Sequence, residues 1–302
     1  MKGKLVVKFR MLLSALLLAA GIVFVAGCGK KSSEGAKAAA KNAQEEARRQ
    51  EETRRQEEAR RAEETKRLEE ELQKSLPGGV LQLPGDIKLE LVLVKAGTFT
   101  MGEMDDQHRV TLTRDFYLGK TEVTQAQWKA VMGNDPSWHK GNDRPVEQVS
   151  WHDAMRFCEK LNEMGKAPKG WKFTLPTEAQ WEYAARGGHR SRGFEYSGSN
   201  DLDEVAWYGG NSDLTTHPVA TKGANELGLY DMSGNVREWC LDRYDSYVGD
   251  AQDPTGPSDG SWRVLRGGSW DDVGCRSAIR DYNVPDIRIS FLGFRLALVP
   301  VQ

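Results

Sequence analysis

A six-residue charged repeat fills residues 44–71 and limits where this chain can fold. Its units read QEEARR, QEETRR, QEEARR and AEETKR, followed by LEEE. Within the repeat no large apolar side chain occurs before Leu68, so burial of the repeat would remove almost no apolar surface from water. A hydrophobic core must therefore be built from the residues that follow the repeat.

The repeat favours a single solvated helix. Six residues at about 100° each rotate every unit by roughly a third of a turn from the one before, which spreads charge around the whole helix. The absence of an apolar seam argues against a long coiled coil, while a disordered charged linker stays open as the alternative. If residues 36–75 are all helical, they form a stalk of about 60 Å. Ion pairs four residues apart support it by about 0.2–0.5 kcal/mol each: Glu45 with Arg49, Glu51 with Arg55, Glu57 with Arg61, and Glu63 with Arg67.

The first 27 residues read as an export signal. Four basic residues precede an apolar run from Met11 to Val25 that is shorter than the roughly 20 residues of a permanent membrane span. The run ends in Val25-Ala26-Gly27-Cys28, which resembles the lipobox of bacterial lipoproteins. That resemblance implies cleavage before Cys28 and acylation of its thiol, for example with palmitate. An uncleaved anchor with an incidental cysteine is the alternative.

A lipidated Cys28 predicts attachment to a membrane of the cell envelope. Several acyl chains make such attachment stable, since each buried CH₂ contributes about 0.8 kcal/mol. Gly29 follows the cysteine, where an aspartate would indicate retention in the inner membrane. We therefore expect the outer membrane or the periplasmic face in a host with two membranes. Residues 28–75 are then the lipidated cysteine and stalk.

Residues 76–302 are predicted to form one domain. Leu76-Pro77-Gly78-Gly79 ends the stalk helix, because proline and paired glycines do not continue it. The domain carries 25 basic and 32 acidic side chains, the remainder of chain totals of 42 and 44. An acidic domain without a basic stripe argues against nucleic acid as a partner.

The domain has a mixed α and β pattern with much irregular chain. Strands are predicted at Leu89–Val94, Gly97–Met101 and Arg109–Leu118. Helices are predicted at Thr124–Met132, at Ser150 to about Met164, and at Thr177–Arg186, the last two with capping boxes. Glu178 and Glu182 share a helix face, where salt-bridge roles are more usual than acid and base catalysis. After residue 190 short strands and turns are expected.

Several motifs in order resemble the family of the formylglycine-generating enzyme, or sulfatase-modifying factor. They are Pro145-Val146 and Val149-Ser150-Trp151, the stretch from Leu175 to Gly188, the stretch from Gly228 to Trp239, then Arg266-Gly267-Gly268-Ser269-Trp270, and Gly293-Phe294-Arg295. The resemblance implies an α+β domain with a variant of the C-type lectin fold and little regular secondary structure. It also places the substrate groove near Ser269 and Trp270.

The resemblance implies a copper-dependent oxidase chemistry that this chain does not fully match. Enzymes of the family use O₂ and copper(I), held by two cysteines after the Gly-Gly-Ser motif, to oxidise a sulfatase cysteine to formylglycine. Copper(I) is soft and prefers thiolates. Counting from Ser269, the two cysteine positions hold Asp272 and Ser277 here; in the alternative alignment, Cys275-Arg276-Ser277-Ala278 matches a later family motif and the copper segment is deleted. Cys275 is a single nearby thiol, so copper is not expected, and Cys275 with Ser269 are the candidates only if the protein is active.

The other cysteines leave two questions open. Cys158 corresponds to a structural cysteine of the family and is expected to be buried, because its usual partner position holds Leu296. Cys240 is free to pair with Cys275 in an oxidising compartment, and neither the disulfide nor two free thiols is favoured.

The resemblance also implies one calcium site. In this sequence it falls on the carboxylates of Asp231 and Glu238 and the backbone carbonyls of Gly234 and Val236. Hard oxygen ligands around a tight turn suit calcium. A capped turn with solvated acids is the alternative.

These observations favour a membrane-tethered, non-catalytic domain that binds a peptide, protein or glycan in the envelope. A formylglycine-generating oxidase and an envelope scaffold are the alternatives.

Overall fold

The structure, a computed structural model, describes residues 31–301. By its internal contacts the chain separates into two compact units that meet between Glu64 and Thr65. The predicted export signal and Cys28 lie outside the described residues. Within residues 31–301 no helix combines the length and the apolar character needed to cross a membrane.

The charged repeat lies in one long helix, α1, from Lys31 to Ser75. Two of the predicted ion pairs form there, Arg49 with Glu45 at 3.2 Å and Arg55 with Glu51 at 3.1 Å. Both pairs are exposed, so each adds little. The helix ends before Pro77, and Gly78 and Gly79 both have positive φ, in agreement with the predicted stop signal.

Three small sheets make up the β structure of the second unit. The strands in chain order are β1 Val80–Gln82, β2 Lys88–Val94, β3 Gly97–Met101, β4 His108–Leu112, β5 Phe116–Gly119, β6 Trp171–Thr174, β7 Arg237–Arg243, β8 Ala251–Gln252, β9 Arg263–Arg266, β10 Arg280–Asn283, β11 Leu292–Gly293 and β12 Ala297–Pro300. The sheet orders are β1-β2-β5-β12-β6, β10-β9-β7-β11 and β3-β4-β8. Only the β11–β7 and β4–β8 pairs of these sheets are parallel.

Four further helices follow α1: α2 Gln125–Met132, α3 Trp151–Glu163, α4 Glu178–Ala185 and the single turn α5 Leu202–Val205. The predicted capping boxes at Ser150 and Thr177 are confirmed, and Thr124 forms a third. In each box the N-cap hydroxyl accepts from a backbone N–H, and the side chain three residues on accepts from the N-cap N–H. Local sequence therefore fixes where these helices begin.

The predicted strand Arg109–Leu118 is wrong as a single element. The chain bends at residues 113–115, so β4 and β5 belong to different sheets. Asp115 Oδ1 accepts from the backbone N–H of Ala96 at 2.7 Å, and Asp253 Oδ1 accepts from that of Thr113 at 2.8 Å. Asp115 within the bend and the distant Asp253 hold it through these hydrogen bonds, which the local strand pattern does not reveal.

The core consists of two hydrophobic clusters. One centres on Trp128, Phe157 and Phe294, whose rings lie 5.5–6.1 Å apart between centroids. The other surrounds Trp181 and contains Cys240. α4 contributes Trp181 and two buried glutamates, which brings charged groups to the floor of the pocket described next.

Candidate functional site

A pocket opens beside the glycines that follow β9. Gly267 and Gly268 have φ of 95° and 72°, a conformation that favours glycine. The pocket is small, with a cavity volume of about 70 Å³. We call it the glycine-loop pocket; its lining is Arg237, Leu265, Arg266, Gly267, Gly268, Asp272, Gly274, Ile279, Arg280 and Asp281.

The floor of the pocket is a fully buried ion-pair network around Arg266. Its guanidinium contacts Glu178 at 3.3 Å and Glu182 at 2.5 Å and donates to the carbonyl oxygens of Ser277 and Ala278. Removing both glutamates would leave a buried unpaired cation, which is strongly destabilising, whereas removing one leaves Arg266 with a single carboxylate partner. The salt-bridge role predicted for Glu178 and Glu182 is therefore confirmed.

The walls of the pocket pair further arginines with acids. Arg280 binds both carboxylate oxygens of Glu178, at 2.6 and 2.8 Å, and lies 3.8 Å from the centre of the Tyr247 ring. Arg237 contacts Asp272 and, at 3.2 Å, Asp281. Because each cation has an anionic partner, the pocket is polar without a strong excess of either sign.

Ser269 and Trp270, predicted to mark a ligand groove, do not line this pocket. Ser269 is buried, and its hydroxyl lies 2.6 Å from a carboxylate oxygen of both Asp271 and Asp272. Trp270 is half-buried and donates from its indole N–H to the Ser290 carbonyl at 3.1 Å. Both residues therefore shape the loop, and the neighbouring glycines and Asp272 face the pocket.

The three cysteines of the domain are not joined by a disulfide. Cys158, Cys240 and Cys275 are each buried and free, so the Cys240–Cys275 disulfide left open by the sequence is not formed in this structure. A methyl group built on Gly268 would lie 2.6 Å from the Cys275 sulfur, which places that thiol against the loop. Burial and the charge of Asp272 raise the pKa of Cys275 to about 12, so it is a neutral thiol.

The two positions that align with copper cysteines carry hard groups. The Asp272 carboxylate is engaged by Arg237, and Ser277 is buried with a hydroxyl that has no partner among the described residues. A carboxylate and a hydroxyl do not suit copper(I), so the residues here do not fit the ion.

The predicted calcium segment lies on a second buried ion pair. The Arg295 guanidinium donates to both carboxylate oxygens of Glu238, at 2.7 Å each. Glu238 also accepts from the Trp181 indole N–H at 2.8 Å. Asp231 accepts from the backbone N–H of Ala220 at 2.8 Å, and burial raises its pKa to about 6.

Glu122 completes this cluster. It is fully buried and accepts from the Asn235 side chain at 2.8 Å and the Val236 backbone at 3.0 Å. Burial, followed by the charges of Asp231 and Glu238, raises its pKa well above the ordinary value. Both oxygens of Glu122 are thus already hydrogen bonded, and its burial favours the protonated form.

Calcium at Asp231, Gly234, Val236 and Glu238 stays a prediction of the resemblance, and this geometry does not favour it. An ion bound there would have to compete with the Arg295 guanidinium for Glu238. The described residues also contain no group of three or more His, Cys, Asp or Glu side chains placed to hold a metal.

We expect excess calcium and excess chelator to give the same melting temperature, because Arg295 already balances Glu238. Differential scanning calorimetry of the full chain measures this directly. A melting temperature that rises with calcium in the native protein, but not in Glu238→Gln, would contradict the expectation and support the implied site.

Glu122 and Arg295 have structural roles that were not predicted from the sequence. Arg295 is part of the Gly-Phe-Arg motif. An arginine that is buried needs a carboxylate partner, but the motif does not show which carboxylate this is. Glu122 lies two residues before the N-cap Thr124, in a stretch that also contains Lys120, Thr121 and Gln125, so the local sequence does not mark it as buried.

These elements define an α+β domain of the C-type lectin type, with small curled sheets and a polar pocket beside a glycine loop. The chain belongs to the sulfatase-modifying factor enzyme 1-like domain family, whose model matches residues 87–299. The predicted family and fold class are confirmed.

Relatives of this chain differ in what their names describe. Chaperone protein LppX of Paenibacillus barcinonensis is 40% identical over 227 residues, covering 60% of this chain and 78% of that protein. The formylglycine-generating enzyme of Streptomyces coelicolor is 35% identical over 197 residues, covering 58% of this chain but only 59% of the enzyme. Among solved structures, Treponema denticola variable protein 1 matches with a TM-score of 0.67 and 34% identity, covering 72% of this chain and 97% of that one.

Proposed function

We propose that this protein is a membrane-tethered, non-catalytic member of its family that binds a peptide, protein or glycan ligand in the cell envelope. Lipid on Cys28 attaches it, α1 holds the domain away from the membrane, and the surface around the glycine-loop pocket meets the ligand. The outer membrane or the periplasmic face is the expected location in a host with two membranes.

One observation carries the non-catalytic part of this proposal. A copper oxidase needs two converging thiolates after Gly-Gly-Ser, and here that loop has the single buried thiol of Cys275 with Asp272 and Ser277 at the aligned positions. The naming of a 40% identical relative as a chaperone protein supports binding of polypeptides over chemistry on them.

The oxidase alternative is tested with a Cys-x-Pro-x-Arg peptide, copper(I) and O₂. We expect no mass change, because the loop lacks the paired soft ligands that hold copper(I). Mass spectrometry detects conversion of the peptide cysteine to an aldehyde. Turnover that disappears in Cys275→Ala would overturn the proposal, and the Streptomyces coelicolor enzyme, run in parallel, shows that the assay works.

A scaffold role is the third reading. Pull-down from envelope extracts with the full chain and with a chain lacking residues 34–75 separates it from ligand binding. A binding domain keeps its ligand without the stalk, whereas a spacer loses its assembly when the stalk is shortened.

A further inference from the structure

Three loops, one of which borders the glycine-loop pocket, present large apolar side chains to solvent. Trp138 is 73% exposed on loop 133–144, Leu214 is 72% exposed on loop 208–216, and Val273 is 94% exposed on loop 269–275. Val273 stands between Asp272 and Gly274, which both line the pocket. We call the side chains of Trp138, Leu214 and Val273 the three-loop surface.

Direct contacts tie the three loops together. The His139 ring nitrogen Nδ1 lies 3.0 Å from the Thr215 hydroxyl, which joins the first loop to the second. The Ser212 hydroxyl donates to the Trp270 carbonyl at 2.6 Å, which joins the second to the third. The rings of His139 and Trp270 meet edge to face at 5.3 Å between centroids. The three loops that carry the exposed side chains are therefore connected to one another.

A buried glutamate holds the tip of the loop that carries Trp138. Glu147 is fully buried and accepts from the backbone N–H of His139 at 2.6 Å, while its second oxygen has no partner among the described residues. Burial raises the pKa of Glu147 to about 7. A buried carboxylate in this role holds the tip in one conformation, which lowers the entropic cost of binding a partner.

The tip that carries Leu214 is strained. Asp213 and Leu214 have φ of 54° and 59°, the left-handed region that a bulky side chain rarely adopts. The Ser212 hydroxyl accepts from the Leu214 N–H at 3.2 Å and stabilises this turn. Strain of this kind persists only where the surroundings enforce it, and it concentrates at sites of recognition. Its effect here is to hold an apolar side chain in water.

Carboxylates adjoin Leu214 and Val273, while the Arg144 guanidinium is engaged by the hydroxyls of Thr215 and Thr216 at 3.2 and 3.4 Å. Asp213 adjoins Leu214, and Asp271 and Asp272 precede Val273. Lys140, next to His139, is paired with Asp135 at 3.1 Å. These carboxylates repel an anionic membrane surface and attract basic groups. Trp138 has a ring face, but Leu214 and Val273 are aliphatic and offer none to a sugar.

We infer that the three-loop surface binds an extended polypeptide segment whose apolar side chains are flanked by lysine or arginine. The apolar residues of the segment cover Trp138, Leu214 and Val273, and its basic residues face Asp213 and Asp271. This inference rests on the proposed binding function and names the chemistry of its ligand.

The test uses two short synthetic peptides that share a leucine and phenylalanine core and differ only in flanking lysines or glutamates. Fluorescence anisotropy with the full chain in zwitterionic phospholipid vesicles measures each affinity. We expect the lysine peptide to bind more tightly than the glutamate peptide. The triple variant Trp138→Ser, Leu214→Ser, Val273→Ser is expected to bind it roughly tenfold or more weakly, since three apolar contacts are lost.

A matched control removes exposed apolar side chains elsewhere. Met104 and Val248 are 82% and 98% exposed and lie on other loops, so Met104→Ser with Val248→Ser is expected to bind normally. The variant Asp213→Lys with Asp271→Lys is expected to reverse the preference between the two peptides. It serves as the second readout if the triple serine variant unfolds.

Different failures have different meanings. If the triple variant binds as tightly as the control variant, the three-loop surface is overturned while ligand binding by the domain still stands. If the native protein binds neither peptide but sediments with peptidoglycan sacculi, the ligand is a glycan and the polypeptide inference is wrong. If it binds none of these ligands, the proposed function itself loses its support.

Discussion

Replacing Arg295 by methionine is expected to lower the free energy of unfolding by about 3–5 kcal/mol. The substitution leaves the Glu238 carboxylate fully buried with only the Trp181 N–H as a donor, beside the acids Glu122 and Asp231. It also removes the donors to the carbonyl oxygens of Gly119 and Tyr230. For a domain of this size the melting temperature should fall by roughly 10 °C.

Two variants separate the buried charge from other effects. Glu238→Gln combined with Arg295→Met should recover part of the loss, because the glutamine still accepts from Trp181 and no uncompensated carboxylate remains. Arg156→Met is the surface control: Arg156 pairs with Glu163 at 2.8 Å, both exposed, so it should change stability by about 0.5 kcal/mol or less. Urea unfolding measures all three. Equal losses for Arg295→Met and Arg156→Met would show that the buried pair does not form in solution.

Features set by neighbouring residues could be predicted from this sequence. Ser150 with Asp153 and Thr177 with Gln180 are three residues apart, and their hydrogen bonds alone place the helix starts. The stop at Pro77 and the ion pairs of α1 are equally local. The fold could also be predicted, because the order of the family motifs along the chain was sufficient to identify the family.

Features set by distant residues were predicted poorly. The bend between β4 and β5 depends on Asp253, 140 residues from Thr113. The calcium ligands Asp231 and Glu238, which the resemblance implies, stay a prediction, but the sequence does not show that Arg295 reaches Glu238 from 57 residues away. The motif at Ser269 likewise does not show that this serine is buried, with its hydroxyl hydrogen bonded to Asp271 and Asp272. The three-loop surface has no motif at all, since its contacts join three separate loops.

Gly234→Ala is expected to be the other strongly destabilising change. Gly234 has φ of 83°, its N–H donates to the Gly267 carbonyl at 2.9 Å, and it pairs with Trp207 in an isolated parallel bridge. A Cβ there would overlap the backbone of Trp207, including its carbonyl oxygen. Left-handed backbone costs an alanine about 1–2 kcal/mol, and the overlap should add about 1–3 kcal/mol.

Gly228→Ala isolates the effect of that overlap. Gly228 has nearly the same φ, 84°, but a Cβ built on it meets no atom within 4 Å. It should therefore lose only the left-handed term, and the difference between the two variants in urea unfolding should be about 1–3 kcal/mol. Because Gly234 is hydrogen bonded to Gly267, displacing it should also shift the glycine loop and weaken peptide binding, whereas Gly228→Ala should bind normally. Equal stabilities for the two variants would mean that the Ser-Gly-Asn turn does not pack against Trp207, and the glycine-loop pocket would then lack the support described for it.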